Sequence, residues 1–533
     1  MDMPANAKTQ TISGKKYVFI DTPYWNAEKH RGEHKRRYIG KIVEGQFVPN
    51  GKYLLSLEKS GTIKPGPVPV TECKRQFYGA TYLLDQIGDK LGIVDDLKAS
   101  FPDKYKQLLS LAYFFVLEEG MSAYRLRKWA LTHKHPYGRD ISSQRISELM
   151  GSIDEASKMN FFRRQARRRA EKEFLAFDTT SISSYSELIK FAKYGKNKEG
   201  DHLPQINLAL LYGEVSRLPV YFRKLTGNTA DVSLIRNLML DIDFLDMKKL
   251  SFVMDRGFYS EKNINDLMKH HHKFLIGIRC GLKITRKHLD EVRGEKLISW
   301  ENYHDDVGLY AMSFSDEWDY REEQPRTGKC ICDKRRVYVH VYFNDQRCTD
   351  ERLSFAKYLT CLQDELKSGR RTERHLKDYD KYFVVSEIPK KGLHIVPNGD
   401  AIREHQRDFG YFVLLSNGIK DPEEAITLYR VRDLIEKAFA NLKERLDMRR
   451  MSVSSSENFE GKLFVQFLAL IYLSYIKKQM DEKGLYKKYT MQTLLDDLDI
   501  IELYQQPGRA HHLSEITKKQ MALYDAMGVP FPK

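Results

Sequence analysis

The residues whose types and spacing could do chemistry lie in the segment YRVRDLIEKAFANLK, near the carboxyl-terminal third of the chain. Tyr429, Arg432, Glu436 and Lys443 occur there at positions i, i+3, i+7 and i+14. At about 100° per residue, these side chains fall in one stripe roughly 60° wide along a helix. This helix face would present a carboxylate between two cations, with a phenol before the first cation. Such a face could hold a divalent metal ion next to a phosphodiester. The alternative is a solvated face with i,i+4 ion pairs.

The helix that carries this stripe needs a second face that fixes it to a core. The upstream segment DPEEA predicts the start of the helical region, with Asp421 as N-cap, Pro422 at the first position and acids in the first turn. The neighbouring face is filled by apolar residues: Val431, Leu434, Ile435, Ala438, Phe439, Leu442 and Leu446.

Two further acids stand where hydrophobic runs end. FLAFDTT predicts a buried strand ending at Asp178, and LSFVMD predicts a strand ending at Asp255. Sites in open α/β sheets are built at the ends of strands, so both acids are candidates. The alternative is that Asp178 caps a turn and that Asp255 starts the turn DRGFYS, because turns are where Asp most often occurs.

The elements around these acids predict the fold class. QINLALLYG and PVYFRKL indicate two more strands, DVSLIRNLMLDIDFL and SEKNINDLMKHH indicate helices, and KFLIGIR indicates another strand. Strands that alternate with helices indicate an α/β sheet covered on its faces. The helix and strand alternation stops near Gly281 and resumes near His405, which indicates a β-containing insertion.

The 533 residues have room for several domains. The changes in pattern predict six segments: an N-terminal β-rich segment (1–65), a helical DNA-binding region (71–170), the first part of the α/β core (171–280), a β-containing insertion (281–405), the second part of the core (406–480) and a C-terminal helical tail (481–533).

Charge and hydropathy limit the kinds of partner that the protein can have. The net charge of +15 and the pI near 9.2 indicate a polyanionic partner, nucleic acid first, although a merely basic enzyme is the alternative. The chain opens without a charged-then-apolar signal, so a cytoplasmic location is expected. The longest apolar stretch, Leu463 to Ile476, is interrupted by Gln466 and predicts a buried helix, so no membrane partner is expected.

The amino-terminal helices offer candidate nucleic-acid contacts. SAYRLRKWALTHKHPYGRDISSQRISELMGSI places two short helices around a Pro/Gly turn, which is compatible with a helix-turn-helix reader or with an ordinary helical hairpin. FFRRQARRRAEK, from Phe161 to Lys172, predicts a cationic helix suited to phosphate contacts, and the alternative is a solvated surface helix.

Three acids (Asp178, Asp255 and Glu436) on two strands and a later helix resemble the catalytic core of DDE transposases. The Tyr-x2-Arg-x3-Glu-x6-Lys spacing is similar to the signature of the IS-four-like group of bacterial insertion sequences. The stretches GNTAD (Gly227 to Asp231) and DRGFYS resemble those that the group carries before and at its second acid. The resemblance covers about Phe174 to Lys443 and is only loose over the first 160 residues.

The resemblance implies an RNase H-like core, a mixed five-stranded sheet with helices on both faces. It implies that Asp178, Asp255 and Glu436 are catalytic and hold two Mg²⁺ ions, with Mn²⁺ as a substitute. An oxygen-only ligand set favours these ions over zinc. It also implies that Tyr429, Arg432 and Lys443 contact DNA phosphates. Where excision proceeds through a DNA hairpin, Trp300 and Trp318 are candidates to stack on a flipped base, against the alternative of packing in the insertion.

The predicted function is therefore cut-and-paste DNA transposition, with strand cleavage and strand transfer. The implied partners are double-stranded DNA at the element ends and the target, and a second copy of the chain. The implied location is the nucleoid in a bacterial cytoplasm. Two alternatives stay open: an RNase H-like nuclease without strand transfer, and a catalytically silent DNA-binding protein descended from a transposase.

Overall fold

The computed structural model divides the chain into two compact units, and both are discontinuous in sequence. The first unit comprises Met1–Leu91, Ala123–Ser143 and Gln479–Lys533, and the second comprises Gly92–Ser122 and Gln144–Lys478. The structure describes residues 3–26, 29, 31–43, 45–59, 74–169, 173–184, 191–195, 203–229, 234–245, 247, 249–323, 330–388, 392–446, 450–451, 455–506 and 510–533.

The secondary structure alternates between strands and helices along most of the described chain. The strands are β1 (Ala7–Ile12), β2 (Lys15–Asn26), β3 (Arg31–Val43), β4 (Gln46–Pro49), β5 (Lys74–Phe77), β6 (Phe174–Ser184), β7 (Gln205–Gly213), β8 (Pro219–Thr226), β9 (Ser251–Met254), β10 (Lys273–Ile278), β11 (Tyr303–His304), β12 (Leu309–Glu323), β13 (Cys330–Phe343), β14 (Phe383–Ile388), β15 (Gly392–Pro397), β16 (Tyr411–Ser416), β17 (Arg450–Met451), β18 (Glu502–Gln505) and β19 (His512–Leu513). The α-helices are α1 (Gly51–Lys59), α2 (Gly79–Lys90), α3 (Ile93–Ser100), α4 (Tyr105–Leu117), α5 (Leu126–Thr132), α6 (Ser143–Gly151), α7 (Glu155–Arg169), α8 (Leu234–Phe244), α9 (Glu261–Lys269), α10 (Lys283–Val292), α11 (Asp345–Ser368), α12 (Leu376–Tyr382), α13 (Gly399–Gln406), α14 (Pro422–Arg430), α15 (Arg432–Ala440), α16 (Ser456–Glu482), α17 (Met491–Asp499) and α18 (Lys518–Ala526).

The first unit contains a four-stranded antiparallel sheet in the order β1-β2-β3-β4. Val18, Ile39 and Phe47 form its small buried core, and Tyr53 of α1 packs against that core. In the same unit, β18 pairs with β5 and with β19 in a three-stranded sheet. The segment 481–533, which the sequence predicted to be helical, therefore also contains strands, because the edge of β5 offers β18 a pairing partner.

The second unit is built on a mixed sheet of ten strands in the order β11-β12-β13-β16-β10-β9-β6-β7-β8, with β17 also paired to β6. The mixed α/β class with a large mixed sheet is confirmed. The sheet is larger than the five strands predicted for the core, because β16 pairs with the other edge of β10 and the insertion strands β13 and β12 continue from there.

The rest of the insertion forms a helical cluster with its own core. Helices α11 to α13 and the β14–β15 hairpin enclose this core. Its buried residues are Phe355, Leu362, Leu366, Tyr379, Tyr382 and Phe383.

Helix α16 is the one helix in the described part of the chain that is long and apolar enough to cross a membrane by length and composition. Of the 18 consecutive residues that form its most apolar part, 94% are buried within the protein. Phe464 of α16 packs edge-on against Phe161, and Tyr472 packs edge-on against Tyr113. The burial agrees with the prediction of a core helix.

Some of the basic side chains of helix α7 bind other residues of the second unit. Arg168 forms a two-pronged ion pair with buried Asp96, and Arg163 donates to the carbonyl oxygen of Phe244. Arg169 is buried. Two of the predicted phosphate-binding cations are therefore held by contacts within the fold, and a third is buried in it.

Candidate active site

The parallel register of the central sheet brings the first two acids side by side. Strands β6 and β9 pair in parallel, and their last matched residues are Phe177 and Met254. Asp178 is the next residue of β6 and Asp255 directly follows β9, so the two acids occupy adjacent positions, about 5 Å apart in the direction across the strands. The sequence placed both acids at strand ends, and the structure brings them together.

Strand β6 does not end at Asp178, contrary to the sequence prediction. The polar residues that follow it stay extended because they pair with β7 as far as Ser183. Their pairing with β9 stops at Phe177, and pairing with β17 begins only at Ser183. Asp178 therefore lies where the described strands leave a gap on one side of β6.

The loop after β9 is anchored next to Asp178. Asp255 caps a 3-10 turn, Arg256–Phe258, by accepting a hydrogen bond from the amide of Arg256 at 2.7 Å. The ring of Phe258 lies 5.0 Å from that of Phe177, which directly precedes Asp178. The turn DRGFYS thus has a structural role as well as a candidate chemical one.

The helix predicted to carry the third acid is interrupted twice. Asp421 caps α14 and Pro422 is its first residue, as predicted. However, Val431 separates α14 from α15, and a π-helix, Asn441–Arg445, follows α15. The prediction of one regular stripe was wrong at Lys443, because the wider π turn changes the rotation per residue there. Lys443 is half-buried within that π turn.

Arg432 joins two of the three acids. Its Nη1 lies 2.6 Å from Oδ1 of Asp255, and its Nη2 lies 3.0 Å from Oε1 of Glu436. Burial works against the charge of Arg432. The pKa of Arg432 is nevertheless raised above its usual value, because Tyr429, Asp255, Asp178 and Glu436 all favour the cation. The guanidinium is thus the centre of the candidate site.

Tyr429 completes the contacts of this cation. Its hydroxyl donates to Oδ1 of Asp255 at 3.2 Å and accepts from Nη1 of Arg432 at 3.1 Å. Burial raises the pKa of Tyr429 above its ordinary value, so the phenol stays protonated and remains a donor at neutral pH.

The acids face solvent while the cation between them is mostly covered. The side chain of Glu436 is 54% exposed and that of Asp255 is 40% exposed, against 20% for Arg432. A phosphodiester approaching from solvent therefore meets the two carboxylates before it meets the guanidinium.

The donor set fits a hard divalent cation such as Mg²⁺ or Mn²⁺, which prefers oxygen ligands. Oδ2 of Asp255 and Oε2 of Glu436 accept no hydrogen bond from the described residues. In the described ranges, no three His, Cys, Asp or Glu residues already form a metal-ligand cluster. Arg432 lies between the carboxylates, so its positive charge would oppose a metal ion bound there for as long as both ion pairs are kept.

A cavity of about 1080 Å³ begins at this site and extends beneath the insertion helices α11 and α13. Asp255, Tyr429 and Arg432 form one end of it. Charged residues of both signs line the remainder: Arg256, Arg279, Arg286, Arg347, Asp350, Glu351, Lys381, Glu404 and Asp408.

Gly277 is a site residue that sequence reasoning missed. Ile276 on β10 pairs with Met254, so Gly277 stands beside Asp255 in the next register position. A Cβ at Gly277 would lie 2.7 Å from the hydroxyl oxygen of Tyr429. A glycine inside a strand signals close approach by another group, and this signal was available in KFLIGIR.

Gly277→Ala is expected to disturb the candidate site, and so to lower the DNA cleavage that the sequence predicts, while leaving the fold intact, because the new methyl group displaces the Tyr429 hydroxyl from Asp255. Overpacking of this kind typically costs about 1–3 kcal/mol. Thermal unfolding and cleavage would be measured together. Gly281→Ala is the matched control, since its methyl group would meet open space.

Tyr429→Phe removes the atom that collides with the new methyl group. The double variant Gly277→Ala/Tyr429→Phe should therefore be no worse than Tyr429→Phe alone. Additive losses in the double variant would contradict the steric explanation.

The two tryptophans of the insertion region have different environments. Trp318 is buried and donates from Nε1 to Oδ1 of Asn265 at 2.8 Å, which favours the packing alternative for this residue. Trp300 is 82% exposed on a 3-10 turn, Trp300–Asn302. In GNTAD, Ala230 and Asp231 lie outside the described residues.

The comparisons identify the class of protein that this fold and site define. The profile of the transposase DDE domain family matches residues 169–472, more than half of the chain. The protein belongs to this family of DNA transposition enzymes.

No curated protein matches the sequence significantly. Among solved structures, the piggyBac transposase synaptic complex with hairpin DNA is similar over 78% of this chain and 70% of that chain, at 11% identity and a TM-score of 0.35. That similarity is too distant to support an argument about this chain.

Proposed function

We propose that this protein is a cut-and-paste transposase that binds the ends of an insertion sequence and catalyses metal-dependent strand cleavage and strand transfer. The observation that carries the proposal is the adjacent placement of Asp178 and Asp255 by the β6–β9 register, with Glu436 linked to Asp255 through Arg432. Membership of the transposase DDE domain family supports it.

We also propose an RNase H-like core and membership of the IS-four-like group. Five strands in the order β8-β7-β6-β9-β10 support the core, with β6, β7 and β8 antiparallel and β9 and β10 parallel to β6. The first acid is on the first of these strands in sequence and the second acid follows the fourth. The Tyr429, Arg432, Glu436 and Lys443 spacing supports the group.

Asp178, Asp255 and Glu436 would hold two Mg²⁺ ions. When bound, these ions supply activation of a water or a 3′-hydroxyl and stabilise the leaving oxygen. The protein's own groups position the reactants. Tyr429 holds Asp255 in place, and Arg432 has the planar fork that suits a phosphate.

Arg432 would exchange partners when DNA binds. In the structure, its two Nη atoms pair with Asp255 and Glu436. A phosphate that draws the guanidinium away would leave both carboxylates for the metal. Lys443 is proposed to contact a neighbouring phosphate as a point charge.

The remaining assignments follow from the same proposal. The partners are double-stranded DNA at the element ends and at the target, and a second copy of the chain on the paired ends. The helical region 71–170 is proposed to contribute to end recognition, and the location is a bacterial cytoplasm at the nucleoid. The excess of basic residues supports the DNA partner.

The proposal is tested with the full-length protein and the DNA that flanks its reading frame. Inverted repeats closely bracketing the frame are expected, and labelled repeat DNA should be nicked at the repeat boundary in Mg²⁺. The new 3′ end should then join to a second duplex.

The rival functions give different products in this assay. Cutting without joining would indicate the RNase H-like nuclease. Binding without cutting, in Mg²⁺ and in Mn²⁺, would indicate the silent DNA-binding protein and would overturn the proposal.

A further inference from the structure

The hairpin of β2 and β3 extends beyond the body of the amino-terminal sheet. Strand β1 pairs with β2 only between Lys15 and Ile20, and β4 pairs with β3 only from Gly40 onward. The six pairs from Asp21↔Arg36 to Asn26↔Arg31 have no third strand among the described residues. We call the residues 21–26 and 31–37 the ribbon, which is about 17 Å long at 3.4 Å per residue.

Both faces of the ribbon carry cations on β3. Lys35, Arg36 and Arg37 follow one another and are exposed, so alternation places Arg36 on one face and its two neighbours on the other. Arg36 lies 5.1 Å from the ring centre of Phe19, and Tyr38 lies beside the same ring.

The acids of the ribbon are paired with side chains of the ribbon and of β1. Asp21 pairs with Lys8 at 3.4 Å and with His34 at 3.4 Å. Glu33 pairs with Arg31 at 2.8 Å and accepts hydrogen bonds from nearby side chains, the largest effect coming from Asn26. These hydrogen bonds lower the pKa of Glu33 to about 2, so its charge persists and is matched internally.

The sequence around the ribbon is also basic. Residues 7–49 contain nine Lys and Arg but four Asp and Glu, a net charge of +5 from 9 − 4. Near the end of the ribbon, Trp25 is 66% exposed and Tyr24 is 46% exposed. An exposed two-stranded element with a basic surface and aromatic side chains suits a partner that is anionic and offers a groove.

We propose that the ribbon is a DNA-contacting element that enters the major groove of double-stranded DNA. The major groove is about 12 Å wide and admits a two-stranded β-ribbon. Lys35, Arg36 and Arg37 bind phosphates along the groove, and Trp25 contacts base edges within it. The inference rests on the proposed function in taking DNA as the partner. It adds residues of the first unit to the proposed DNA contacts.

The test measures binding of the full-length protein to a labelled duplex of about 30 base pairs, three helical turns, over a series of salt concentrations. The probe carries the DNA that flanks the reading frame. The triple variant Lys35→Gln/Arg36→Gln/Arg37→Gln is expected to bind more weakly at low salt. Its slope of log K against log salt should flatten by about 0.9 for each lost phosphate contact.

A matched control removes the same charge elsewhere in the first unit. Lys487, Lys488 and Lys518 are exposed, and their replacement by Gln should leave the slope unchanged. Trp25→Ala should reduce affinity without changing the slope, because an aromatic side chain displaces no counterion. Equal losses in the triple variant and its control would overturn the proposal.

Competition with single-stranded DNA distinguishes binding of a duplex from binding of a single strand. If the triple variant lost single-strand binding but kept duplex binding, the ribbon would not be a duplex-groove element and the proposal would fail. Cleavage is assayed on the same preparations. A protein that binds through the ribbon but never cuts DNA would refute the catalytic function alone, and a cutting protein with an unaffected triple variant would refute the ribbon alone.

Discussion

Glu436→Gln is expected to retain binding to element-end DNA while strand cleavage and strand transfer fall by several orders of magnitude. The change keeps the size of the side chain and removes the charge that a divalent ion needs beside Asp178 and Asp255. Glu436 is more than half exposed, and α15 is held by its buried face, so folding should be nearly unaffected.

The measurement is cleavage of labelled end DNA in Mg²⁺ by variants with normal melting temperatures. Asp433→Asn is the matched control, because it removes an exposed carboxylate from the same helix. Near-normal nicking by Glu436→Gln would show that this glutamate is not catalytic. The helix stripe would then be interpreted as a set of surface ion pairs.

Asp178→Asn and Asp255→Asn should reproduce the loss. Two of the three changes combined should reduce activity little more than one, because carboxylates that act on the same metal ions act as a unit. Asp255 also caps a turn and pairs with Arg432, so its variant needs the melting-temperature check most. Losses that multiply across the set would contradict a shared metal site.

Arg432→Gln should have the second-largest effect, with cleavage reduced by about 10²–10³-fold, the usual range for one lost transition-state donor. It should also loosen the end complex. Arg432→Lys should restore activity only partly, because an ammonium group lacks the planar fork that can bind two phosphate oxygens at once. Full activity in Arg432→Lys would show that a point charge suffices.

Metal binding gives this prediction a second readout. Arg432 neutralises two carboxylates, so Arg432→Gln should raise the affinity of the protein for Mn²⁺ when DNA is left out of the assay, measured by electron paramagnetic resonance. In the unaltered protein, end DNA should raise Mn²⁺ affinity by withdrawing the guanidinium. Equal Mn²⁺ affinity in both proteins would contradict the exchange.

Local patterns were enough to find the acids and their elements. Hydrophobic runs located the strands before Asp178 and Asp255, and the capping residues at Asp421 and Pro422 located the start of α14. These features depend on neighbours in sequence, which is why one sequence reveals them.

Non-local pairing was beyond the same reasoning. The polar run after Asp178 remains a strand because β7 pairs with it, and the sheet extends to ten strands because β16 pairs with the open edge of β10 and β13 pairs with β16. The position of Arg432 between two acids follows from the docking of α15 against β6 and β7. None of these partners can be read from local periodicity.

The pairing of β5 with β18 bears on how the chain is made. Arg75 and Glu502 of this pairing are 427 residues apart. At about 5–20 residues per second, the ribosome needs roughly 20 to 90 s to synthesise the intervening chain. During that time β5 has an unpaired edge, which is a template for pairing with another nascent chain. Any translation product that stops before β18 keeps that edge permanently, so prematurely terminated chains should be prone to aggregation and to removal by proteases.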